Sequence, residues 1–124
     1  MRWIVDGMNV IGSRPDGWWQ DRSAAMVALV ESLDRWAAVN GERVTVVFER
    51  PLAISSVVVE VAFAPAAGAT SADDEIVRLV GVDSRPEEIC VVTSDKGLTM
   101  RVRGLGAVVH PAQGFRDLVE RLYR

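Results

Sequence analysis

Short, β-branched runs alternate with segments of helical period along the chain, and this alternation limits the fold more than any single motif. Residues 2–6 (Arg-Trp-Ile-Val-Asp), 44–48 (Val-Thr-Val-Val-Phe), 57–63, 88–93 and 107–109 read as strands. Between the first two, residues 21–39 carry Ala25, Leu29, Leu33 and Trp36 at helical spacing, and Gly41 supplies a stop. Helices are also expected from residue 71 to 80, from 96 to 103 before Gly104, and over 111–124, where Phe115, Leu118, Val119 and Leu122 form an apolar face. Such alternation implies an α/β sandwich whose mainly parallel sheet is buried on both faces. The 49–56 link is short for a parallel crossover, which takes about a dozen residues. The strands it joins are therefore either short or paired as a hairpin.

With 124 residues the chain reads as a single domain, 1–124. Its 49% apolar and 25% charged content is that of a soluble globular protein. No apolar stretch reaches the roughly 18 residues of a membrane span, and Asp6 and Gly7 interrupt any secretion-signal layout. Cys90 is the lone cysteine, so no internal disulfide forms and a reducing cytoplasm fits. It lies in an apolar run and reads as a small buried hydrophobe. The net charge of −3 argues against tight nonspecific nucleic-acid binding, though it leaves local basic patches open.

Three aspartates occupy equivalent places. Asp6 ends the first strand, Asp95 follows the 88–93 strand, and Asp73 lies in the first turn of the 71–80 helix. In an open parallel sheet, strand ends and the following helix starts share one edge, where ligands bind. Acids gathered there repel one another unless a hard cation such as Mg²⁺ neutralises them. Each also has a plain structural reading. Asp6 before Gly7 suits a turn, and Asp73 suits a helix dipole. Asp95 suits an N-cap, and Ser71-x-x-Asp74 has the form of a capping box.

With these residues in place, the chain resembles the NYN domain family of the PIN-like nuclease superfamily, its YacP-like branch in particular. The matching stretches are Val5-Asp6-Gly7-Met8-Asn9-Val10-Ile11-Gly12, Val46-Val47-Phe48-Glu49, Val59-Glu60-Val61-Ala62-Phe63, Thr70-Ser71-Ala72-Asp73 and Val92-Thr93-Ser94-Asp95. The resemblance implies a three-layer PIN-like sandwich with a five-stranded parallel sheet. It also implies an Mg²⁺- or Mn²⁺-dependent site and endonucleolytic cleavage, mostly of RNA. Carried over by position, Asp6, Asp73 and Asp95 are the metal-binding acids. Asn9 orients the first acid or a bound water, Ser94 is a supporting donor, and Gly7 lets the backbone turn beneath Asp6. Glu49 stands where the branch has aspartate, as a fourth acid or as a salt-bridge partner of a nearby arginine. Gly97 replaces an acid that many PIN relatives carry.

A cleaving site needs cations for the phosphates. Arg14, Arg50, Lys96 and Arg101, with Ser94, are the candidate nucleic-acid contacts, and Arg22 and Arg103 belong to the same scattered set. Of the adjacent Trp18 and Trp19, one is expected to be exposed and able to stack on a base. His110, the only histidine, reads as a strand-end polar residue. The reading is a metal-dependent endoribonuclease acting on single-stranded or unstacked RNA, with the resemblance suggesting a presenting partner such as the ribosome. The alternative is a catalytically inactive NYN-type RNA-binding or protein-interaction domain.

Overall fold

A computed structural model describes residues 1–65 and 71–121. Five strands, β1 (Arg2–Asp6), β2 (Arg43–Phe48), β3 (Glu60–Phe63), β4 (Ile89–Val92) and β5 (Val108–His110), form one sheet in the order β3-β2-β1-β4-β5. Every neighbouring pair is parallel. The helices are α1 (Gly7–Ile11), α2 (Arg22–Asn40), α3 (Ser71–Val82), α4 (Lys96–Gly104) and α5 (Ala112–Glu120). Among the described residues no helix is long and apolar enough to cross a membrane.

Successive strand side chains point to opposite faces, so the apolar runs feed two cores. Val5, Val44, Val46, Phe48 and Val92 pack with residues of α1, α2 and α5, including Val10, Val30, Leu33, Trp36 and Phe115. Ile4, Val47, Ile89 and Val91 pack with Ile76 and Val80 of α3 and Leu98 and Val102 of α4. Cys90 is buried, which pushes its thiol up to about 11 and leaves it an inert core residue. His110 ends β5, its ring centroid 6.2 Å from Trp3 and 6.1 Å from Phe115.

α2 starts at Asp21, whose carboxylate accepts the Ala24 N–H at 3.0 Å, and ends at Gly41 in the left-handed region (φ 65°). Its buried stripe is Met26, Val30, Leu33, Trp36 and Ala37, so Ala25 and Leu29 lie at the margin of the expected face. Apolar residues occur on nearly every side of this helix, and spacing alone does not select among them. The terminal helix is seen over Ala112–Glu120, burying Phe115 and Val119. Leu122, Thr70 and the Ser71 side chain of the expected capping box lie outside the described residues.

The short link resolves as a parallel crossover into a short strand. β3 pairs with β2 from Thr45↔Glu60 to Phe48↔Phe63. Residues 57–59, expected as strand, instead donate their N–H groups to the Asp34 carboxylate on α2, at 3.0, 3.1 and 2.8 Å. One carboxylate thus satisfies three amides that would otherwise need a ladder partner.

The turn expected after Asp6 is the helix α1, and the role expected for Gly7 changes with it. Gly7 does not adopt positive φ. It is needed because a Cβ there would lie 2.4 and 2.6 Å from ring carbons of Phe48 and 3.1 Å from a Val46 methyl. Phe48 is fully buried and has no room to retreat. A Gly7→Ala variant is expected to lose about 1–3 kcal/mol of stability by overpacking. Its melting temperature by circular dichroism should fall by roughly 4–10 °C, and the added substitution Phe48→Leu should restore part of the loss.

Candidate active site

β1 leads to β2 and β3 on one side, and β4 and β5 lie on the other. The chain order therefore reverses between β1 and β4, the place where open α/β sheets bind ligands. Asp6 ends β1 here and is only 7% exposed. Thr93, just after β4, donates its hydroxyl to Asp6 Oδ2 at 3.0 Å and accepts the Asp95 N–H at 3.1 Å. Asp6 is thus aimed from the end of the neighbouring strand. Thr93 was not singled out by sequence; its one signal is a polar residue closing an apolar run, two positions before Asp95.

Asp95 is the N-cap of α4, and its Oδ1 accepts the Leu98 N–H at 2.7 Å. Capping and a place in the site are therefore compatible roles. Asp73 lies half-buried in the first turn of α3. Burial raises the Asp6 pKa to about 6, against the Thr93 hydrogen bond, and the charges of Asp73 and Asp95 add to the rise. Asp73 is also raised, first by burial and then by Asp95, with Asp74 and Glu49 adding to it and Arg101 opposing. Glu49 is exposed and forms no ion pair among the described residues.

Asp6, Asp73, Asp95 and Glu49 therefore form one electrostatically linked acidic cluster. As placed, no three His, Cys, Asp or Glu side chains among the described residues stand close enough together to hold a metal ion. The donor chemistry nonetheless fits a hard divalent cation. It consists of carboxylate oxygens, two of them with pKa values raised by burial first and by their acidic neighbours after it.

The remaining candidates separate. Asn9 bonds Ser94, its side-chain Oδ1 accepting the Ser94 N–H at 2.8 Å. Ser94 Oγ accepts the Ala112 N–H at 3.0 Å and ties this loop to the start of α5. Arg101 pairs with Asp74 at 2.9 Å and lies near enough to Asp73 to lower its pKa. Lys96 and Arg50 are exposed beside Asp95 and Glu49 in sequence. Arg14 does not join them. It pairs with Asp117 and Glu120 of α5, because those acids neutralise it at the end of the loop. Trp18 packs against the first core with the Arg22 guanidinium 5.4 Å from its ring centroid, and Trp19 is 52% exposed. A cavity of about 450 Å³ lies between α2, α5 and the end of α1, and Asp6, Asp73 and Asp95 do not line it.

The model of the YacP-like NYN domain matches residues 3–124. The chain belongs to that family. It is similar to the crystal structure of Rae1 (YacP) from Bacillus subtilis in its W164L mutant form, with 28% identity and a TM-score of 0.81. That match covers 100% of this chain and 77% of the other. A second Rae1 (YacP) crystal structure from the same organism gives 26% identity and a TM-score of 0.80, covering 99% and 77%. No curated protein matches the sequence. Family membership supports a nuclease-type, RNA-related function, and NYN/PIN-like nucleases generally use divalent metals.

The raised Asp6 pKa fixes a sign. Between its ordinary value of 3.8 and about 6, the folded protein binds a proton that the unfolded chain releases. Stability of the metal-free protein therefore falls as pH rises through that window and stays lower above it. Asp6→Asn keeps a carbonyl oxygen for Thr93 and removes the charge. It should be more stable than wild type by up to about 3 kcal/mol at pH 7. The gain should vanish near pH 3, as read by urea unfolding across the range.

Proposed function

We propose that the chain is a metal-dependent endoribonuclease that hydrolyses RNA phosphodiester bonds at the Asp6, Asp73 and Asp95 cluster. The observation that carries the reading is a buried carboxylate at the switch point, its pKa raised by that burial and, to a lesser degree, by the acids Asp73 and Asp95. Asp6, Asp73 and Asp95 would hold Mg²⁺ or Mn²⁺, with Glu49 at the edge of the set. A bound divalent cation supplies charge neutralisation at the phosphate and acidification of attacking water. Thr93 fixes the direction of Asp6, and Asn9 would orient that acid or a bound water. Lys96, Arg50 and Arg101 would position phosphates. Single-stranded or unstacked RNA suits the site, because an exposed backbone reaches it without duplex distortion. The buried, unpaired Cys90 fits a reducing compartment such as the cytoplasm.

A second reading, a catalytically silent RNA-binding or protein-interaction domain, draws on the lack of a preformed three-acid group among the described residues. Calorimetric titration with Mn²⁺ and a thermal melt separate the two. Heat of binding with a raised melting temperature supports the enzyme, and neither effect supports the silent domain.

Asp95→Asn is the direct catalytic test. Asparagine caps a helix as well as aspartate does, so α4 and the fold should persist. Cleavage of a mixed RNA pool with Mn²⁺, with the cut ends mapped, should fall at least about 100-fold. Cutting at the wild-type rate would remove Asp95 from the site.

A further inference from the structure

α1 spans Gly7–Ile11, too few residues to hold a helix unaided. Its first turn is tied to the loop between Thr93 and Asp95, because the Asn9 side chain accepts the Ser94 N–H. Its last carbonyls have no helical partner. Arg116, on α5, meets them: Nη1 donates to Ile11 O at 2.9 Å and to Val10 O at 3.4 Å. Ser13 also bonds Val10 O, whereas Ile11 O is held by Arg116 alone among the described residues. The rest of the fork is engaged as well. Nη2 donates to Asp16 Oδ2 at 2.6 Å and Nε to Glu120 Oε1 at 3.1 Å, and the side chain is only 18% exposed.

We propose that Arg116 is a positioning residue of the acidic site: its guanidinium fixes the far end of α1, and α1 in turn sets Asn9 against Ser94, in the loop that carries Thr93 and Asp95. The role rests on the nuclease reading only for its catalytic consequence. It requires arginine, because lysine keeps the charge but lacks the planar fork that serves four acceptors in fixed directions. Arg14, in the same ion-pair cluster, bonds Asp117 and Glu120, and among the described residues it has no bond to α1.

Amide hydrogen exchange of the metal-free protein, read with RNA cleavage kinetics, tests the role. In Arg116→Lys the Asn9 and Ser94 amides should exchange at least about 10-fold faster, while amides of β2 and α3 keep their wild-type rates. The kcat for an RNA oligonucleotide should fall about 10-fold or more with KM unchanged. Asp117→Ala removes an ion pair of the same cluster without touching Arg116, and should leave both readouts as in wild type. Asp16→Asn, which loosens the fork from its other side, should shift the same two amides in the same direction by less. It decides the matter if Arg116→Lys does not fold. Wild-type exchange at Asn9 and Ser94 in the folded variant, or an equal change in Asp117→Ala, would overturn the role. If the wild-type protein itself cuts no RNA, the nuclease reading falls and the exchange data still judge Arg116.

Discussion

A carboxylate held out of water at a parting of strands is the constraint around which this molecule is arranged. Asp6 is nearly inaccessible, and burial of an ionised acid is unfavourable unless hydrogen bonds compensate. Thr93 supplies such a bond from the end of the neighbouring strand. That contact requires β1 and β4 to lie side by side, which the all-parallel order provides. The apolar layers above and below the sheet then stabilise a site that is electrostatically unfavourable on its own.

The groups that build the site also start the helices around it. Asp95 belongs to the acidic cluster and caps α4. Ser94 receives the first amide of α5 on its hydroxyl and gives its own amide to Asn9. Asp73 stands where the dipole of α3 favours an acid, and beside other acids that disfavour it. Because these duties share residues, the positions of α1, α4 and α5 relative to the sheet are set at the same points that set the carboxylates. Similarity to the Rae1 (YacP) structure of the W164L mutant extends over the entire chain.

Much of this was legible in the order of residues. Buried parallel strands must be apolar on both faces, so runs such as Val44 to Phe48 and Ile89 to Val92 declare themselves. Asp6, Asp73 and Asp95 are visible because each sits at a strand end or helix start. What stayed hidden depends on distant partners. Thr93 acts on a residue 87 positions away, and Arg116 reaches Ile11 across 105. Asp34 replaces strand hydrogen bonds for residues 57–59 from a helix more than twenty positions earlier. Gly7 looked like turn chemistry and is instead the space needed by Phe48. Arg14 looked like a phosphate contact because its acidic partners on α5 are over a hundred residues away.

The Asp34 clamp also bears on how separate molecules meet. β3 is an outermost strand, and an open rim of unpaired amides invites other chains to add to the sheet. By drawing the preceding backbone onto α2, Asp34 trims that rim to Glu60–Phe63 and leaves a charged glutamate at its beginning. A foreign strand finds little length to zip onto, so the same carboxylate that shapes the crossover guards the molecule against sheet-to-sheet clumping in a crowded solution.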